Sequence, residues 1–101
     1  MKYGLFGKFV TQEGRRDQLI DILLQAAELL QRNDECIEYI VGTSEKPNEV
    51  WVSEIWASKE AHDSSLDPED IRALVMSARQ YIANMPEGTE YYPLGGKGIE
   101  V

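Results

Sequence analysis

The segment Val50 to Trp56 carries apolar side chains on both of its alternating faces. Trp51 and Ile55 share one face with Ser53, while Val50, Val52 and Trp56 share the other with Glu54. The opening stretch, residues 2–10, behaves the same way. Tyr3, Leu5 and Phe9 point to one side, Phe6 and Val10 to the other. Strands of this kind need cover on both faces. Helices supply one cover. With 101 residues the chain is one domain, 1–101, so the second cover has to come from outside it. Another copy of the sheet is the simplest source, which predicts a homodimer whose sheets face each other or close into a barrel.

Between these strands the periodicity changes. Arg15 to Arg32 places Leu19, Leu23, Ala26, Ala27 and Leu30 at helical spacing, and Asn33-Asp34 closes the helix. Cys36 to Thr43 is a strand in which Ile37, Tyr39 and Val41 alternate with Cys36, Glu38 and Ile40. Glu45-Lys46-Pro47-Asn48 is a turn, so the strands on either side pair as an antiparallel hairpin. Ser58 caps a short turn containing Ala61 and His62. Asp67-Pro68-Glu69-Asp70 starts a helix, with Asp67 as cap and Pro68 at its first position. Its stripe, Ile71, Leu74, Val75, Ala78, Ile82 and Met85, runs to the stop at Pro86 and Gly88. Glu90 to Leu94 is the last strand, and the glycine-rich tail 95–101 is ordered only by docking on something. The order β-α-β-β-α-β is the ferredoxin-like pattern, an α+β fold with an antiparallel sheet and helices on one face.

Charge excludes several classes of partner. Ten basic residues stand against 18 acidic ones, a net charge of −8. Such a surface repels phosphate backbones and anionic headgroups, so neither nucleic acid nor a membrane is an expected partner. No apolar run approaches the roughly 20 residues that cross a bilayer, and the N-terminal run, broken by Lys8, lacks the features of a signal peptide. The single cysteine, Cys36, forms no intramolecular disulfide, which fits a cytoplasmic location. One histidine and one cysteine make no zinc site, and no loop has EF-hand spacing, so no metal is expected. The Gly95-Gly96-Lys97-Gly98 run precedes no helix and matches no phosphate-binding loop.

The informative stretch is 51–62. A tryptophan, Trp56, ends a strand, and the lone histidine, His62, follows on the next turn. Glu54 points the same way as Trp56, and a carboxylate facing the core side of a sheet needs a partner or a cavity. Arg72 and Arg79 of the last helix are candidate partners. Taken singly, Trp56 is a core residue, His62 a packing residue and Glu54 half of an ion pair. Together they mark a candidate pocket.

These residues carry a resemblance. Glu54-Ile55-Trp56, Ser58-Lys59-Glu60-Ala61 and His62, with the opening Gly4-Leu5-Phe6-Gly7-Lys8-Phe9, Gly14 and the long helix after it, resemble the antibiotic biosynthesis monooxygenase family. That resemblance implies a dimeric α+β barrel and oxidation of a quinol or aromatic polyketide-like phenol by O₂ with no cofactor. A phenol loses its proton, the anion reduces O₂, and the peroxide collapses to a quinone. On this resemblance His62 is the base and Trp56 the wall on which a flat substrate stacks. An imidazole titrating at about 6.5 suits the first role, and an indole face the second. Tyr39, Glu54 and Arg79 are candidates to orient or stabilise an anion, with Phe6 and Met76 as further lining. Haem-degrading relatives carry an asparagine on the first strand and a histidine on the last helix. Both are missing here, which disfavours that activity. Two alternatives stay open: a protein that binds a small aromatic without turnover, and a non-catalytic stress-related dimer with its pocket packed shut.

Overall fold

The computed structural model describes residues 1–99. Four strands, β1 (Tyr3–Val10), β2 (Cys36–Thr43), β3 (Glu49–Trp56) and β4 (Glu87–Tyr91), form one antiparallel sheet in the order β2-β3-β1-β4. Helices α1 (Arg16–Leu30), α2 (Lys59–Asp63) and α3 (Glu69–Ala78) complete an α+β ferredoxin-like fold. The two strands with apolar groups on both faces, β1 and β3, lie in the middle, paired from Tyr3 with Trp56 to Val10 with Glu49.

The helix side of the sheet holds two apolar clusters. Leu19, Ile22 and Leu23 of α1 pack on Val50 and Val52 of β3 in the first. Tyr3, Leu30, Trp56, Ala61 and Ile71 form the second. Every second residue of β3 enters this layer, and the one between Val52 and Trp56 is Glu54. A carboxylate cannot join an apolar cluster without cost, and the core divides at that position.

Four details depart from the sequence reading. A bulge between Cys36 and Glu38 shifts the register of β2, so Cys36 opposes Trp56 and shares the helix side with Tyr39 instead of the other face with Glu38 and Ile40. Asp67 does not cap α3, and Pro68 stands just before the helix with extended backbone, its carbonyl accepting from the Arg72 N–H at 3.0 Å. The helix also stops earlier than its apolar stripe. It tightens into a 3₁₀ turn over Arg79–Tyr81, and Ile82 becomes extended. The end of β1 is responsible, because Gln12 N–H bonds to the Tyr81 carbonyl and Ala83 N–H to the Val10 carbonyl, both at 2.8 Å. Met85 is consequently solvent-exposed. Finally, β4 begins at Glu87, directly after Pro86, and ends before Pro93. Of the tail, Gly96 to Ile99 close a small turn, and Gly98 lies beside Glu38. Glu100 and Val101 fall outside the described residues.

Gly4 is the one strand glycine that a close approach demands. The Tyr91 ring lies where a Cβ would stand. Leu19, with no exposed surface, anchors the first cluster. Leu19→Ala is expected to cost about 2–5 kcal/mol of unfolding free energy, measurable by urea denaturation. A loss below about 1 kcal/mol would show that the site collapses around the truncation.

Candidate active site

Local rules place the histidine. Ala57 N–H bonds to the Glu35 carbonyl at 2.8 Å, which fixes the exit of β3. Ser58 then caps α2, its hydroxyl accepting from the Ala61 N–H at 3.1 Å. One turn later His62 comes back over Trp56. The rings meet edge to face with centroids 5.7 Å apart, and Tyr3 of β1 lies 5.2 Å from the imidazole on another side.

Glu54 is held from the same strand. The Trp56 indole N–H donates to Glu54 Oε1 at 3.0 Å. His62 Nε2 lies 3.8 Å from that oxygen, too far for a hydrogen bond but close for a charge pair, and His62 Nδ1 lies 3.3 Å from Asp63 Oδ1. The three polar groups form a gradient of exposure, with side chains 15% exposed at Glu54, 27% at His62 and 60% at Asp63. Burial pushes the Glu54 carboxyl above its ordinary value, against the opposing pull of the Trp56 hydrogen bond and the His62 charge. Burial, with the Glu54 charge, also pushes the Tyr39 phenol up and raises the Cys36 thiol to about 11. A thiol in that state is a weak nucleophile.

A cavity of about 710 Å³ opens between the sheet and the helices. Leu23, Leu30, Ile71 and Val75 are among its apolar walls, and Glu54, Trp56 and His62 all reach it. Tyr39 and Arg79 line it as well. Tyr39 stands opposite Glu54 in the β2–β3 register. Neither arginine pairs with Glu54: among the described residues Arg79 makes no ion pair, and Arg72 donates to the Asp67 carbonyl at 3.2 Å. Phe6 and Met76 do not line this cavity. Phe6 lies on the opposite face of the sheet, 5.2 Å from the Trp51 ring, and Met76 faces solvent. Sequence reasoning missed Asp63, which touches the imidazole, and the segment from Ile82 to Pro86, which closes one wall. Asp63 adjoins His62 in the chain, so that signal was present. The wall was hidden by the apolar stripe that continues past the true helix end. No group of three or more His, Cys, Asp or Glu that could hold a metal occurs among the described residues.

Comparison with known proteins assigns the family. The family described as antibiotic biosynthesis monooxygenase matches residues 3–76, and the chain belongs to that family. A solved structure from Chloroflexus aurantiacus J-10-fl, named as a candidate antibiotic biosynthesis monooxygenase, is similar over 99% of this chain and 100% of its own, with 35% identity and a TM-score of 0.89. A Mycobacterium tuberculosis protein is similar in fold at 16% identity, over 96% and 99% of the two chains, with a TM-score of 0.83. A Caulobacter crescentus CB15 protein is similar in fold at 17% identity, over 93% and 91%, with a TM-score of 0.84. No curated protein matches the sequence.

The raised Glu54 carboxyl has a consequence for stability. The folded chain keeps a proton there at pH values where the unfolded chain, near the ordinary value of 4.5, has lost it. Stability contributed by this group is therefore full below 4.5 and is lost as pH rises through the folded value. Glu54→Gln keeps an acceptor for the indole N–H. It is expected to melt above the parent protein at neutral pH, with the gap closing on acidification to 4.5 and below. A variant less stable than the parent at pH 7 would contradict this.

Proposed function

We propose that the chain is a cofactor-independent monooxygenase that oxidises a small phenol or quinol with O₂. Membership of the antibiotic biosynthesis monooxygenase family supports a monooxygenase-like role. The observation that carries the finer reading is the 710 Å³ cavity, mostly apolar in its walls and meeting Glu54, Trp56 and His62 in one place. A volume of this order suits a flat aromatic of a few rings. In this reading the substrate stacks on Trp56, and its hydroxyl proton leaves through His62. The electron-rich anion passes electrons to O₂, and the resulting peroxide loses water to give a quinone. Tyr39 and Arg79 orient the anion. Water exclusion by the apolar walls keeps the intermediate from side reactions. Metal, flavin and haem take no part in the scheme.

The working unit in this proposal is a homodimer in the cytoplasm. On the face of the sheet away from the helices, Phe6, Ile40 and Tyr91 are 49%, 55% and 42% exposed, with Trp51 against Phe6. An apolar patch of this kind supports cover by a second sheet. Phe6 thereby belongs to the dimer face, and Met76 takes no role. Among the described residues no helix is long and apolar enough to cross a membrane.

Two experiments follow. Oxygen uptake by metal-stripped protein, tested with a panel of quinols and anthrones and corrected for autoxidation, is expected to be saturable. It should fall by about 100-fold or more in His62→Ala. No uptake above background from any member of the panel would count against turnover and favour a binding protein. Separately, Ile40→Glu is expected to convert a sedimenting dimer to a monomer without loss of secondary structure. An unchanged sedimentation coefficient would remove this face from the interface.

A further inference from the structure

The site contains a carboxylate that the proposed chemistry has not used. Glu54 is tied down at Oε1 by the Trp56 indole, and among the described residues its Oε2 has no hydrogen-bond partner. That oxygen is not sealed in protein either, since the described residues hold one sealed, unpartnered side-chain atom and it is on Gln18. Glu54 itself lines the cavity. Retaining an under-satisfied carboxylate on the core side of a sheet is costly unless a cation arrives to compensate it.

We propose that Glu54 is a positioning residue for His62, a largely buried negative charge that the imidazolium neutralises when His62 takes a proton from a bound phenol. This deepens the monooxygenase reading and rests on it. The step balances simply. The phenol O–H bond breaks, its electron pair stays on oxygen as phenolate, and an N–H bond forms at His62 Nε2. Before the step the buried carboxylate has no counter-charge. Afterwards it faces an imidazolium across 3.8 Å. The charge persists on Glu54 when the phenolate gives up electrons to O₂, so the imidazolium is never left alone in an apolar cavity. Trp56 acquires a second task here, because its N–H fixes the carboxylate at that distance.

The surrounding groups leave Glu54 as the effective partner. From β1 comes Tyr3, from β2 Tyr39 and Cys36, from α2 Asp63, and from the turn after α3 Arg79. The phenols and the thiol are ordinarily neutral at pH 7, and burial raises their pKa values further. Asp63 is closer to the ring but 60% exposed, so water and salt screen it.

The test exploits the single histidine, whose ring ¹⁵N signals need no assignment. The probe is 4-nitrophenol, yellow only as phenolate and resistant to further oxidation. In the parent protein, bound probe is expected to be yellow beyond the phenolate fraction of free probe at the same pH, with both ring nitrogens protonated. Glu54→Gln should still bind the probe, more weakly by no more than the lost proton transfer accounts for, with the yellow, doubly protonated population reduced at least ten-fold. Asp63→Asn should lose less than Glu54→Gln. Should Glu54→Gln fail to fold, Trp56→Phe, which frees the carboxylate, is expected to lower the same two signals. Full proton transfer in Glu54→Gln, or in Trp56→Phe where that is the variant tested, would overturn the proposal. So would a larger loss in Asp63→Asn than in Glu54→Gln. Failure of the probe to bind the parent protein would defeat the phenol site and this proposal together. Proton transfer from this probe, with no oxygen uptake from any member of the quinol and anthrone panel, would defeat the oxygenase reading alone.

Discussion

The Trp56 indole N–H donates to a carboxylate two residues earlier on the same strand, and the site is arranged around that bond. Pairing between β1 and β3 leaves residue 54 no choice of face, because Glu54 opposes Leu5 on the helix side. Val50 and Val52 on one flank and Trp56 on the other are buried in apolar clusters. A carboxylate between them interrupts the packing, and the cavity lies beside that interruption. One oxygen is satisfied by the indole. The other has no hydrogen-bond partner among the described residues, and the residue lines the cavity, to which it gives polarity.

The histidine reaches this space through very local chemistry. A strand end is fixed by Ala57, a serine hydroxyl caps the first turn of α2, and the helix is too short to carry His62 away from the sheet. The Tyr3 and Trp56 rings then hold the imidazole from two directions. A site on strand and helix termini, with a ring wedged between rings, is better positioned than one on a loop. Exposure rises outward from Glu54 through His62 to Asp63.

Much of this was legible in the sequence for physical reasons. Two-residue alternation with apolar groups on both sides identified β1 and β3, and the turn at Pro47 paired β3 with β2. Helical spacing at Leu19, Leu23, Ala26 and Leu30 predicted the buried stripe of α1. The grouping of Glu54, Trp56 and His62 followed from strand phase and a serine cap. Other features depend on partners distant in sequence. The bulge beside Cys36 is set by pairing with β3, not by any turn residue. The end of α3 is imposed by backbone bonds from Val10 and Gln12, which an apolar stripe running on to Met85 cannot reveal. Glu54 looked like half of an arginine pair because periodicity shows which face a residue takes, not what stands across from it.

Glu54 is a largely buried carboxylate anchored by Trp56 rather than an ordinary surface acid. Carboxyl ¹³C NMR of the protein labelled at glutamate, with Glu54→Gln to assign the resonance, reads this directly. Glu54 is expected to titrate above 4.5 and to rise further in Trp56→Phe, where the indole donor is lost. A midpoint at or below 4.5, unmoved by Trp56→Phe, would contradict it.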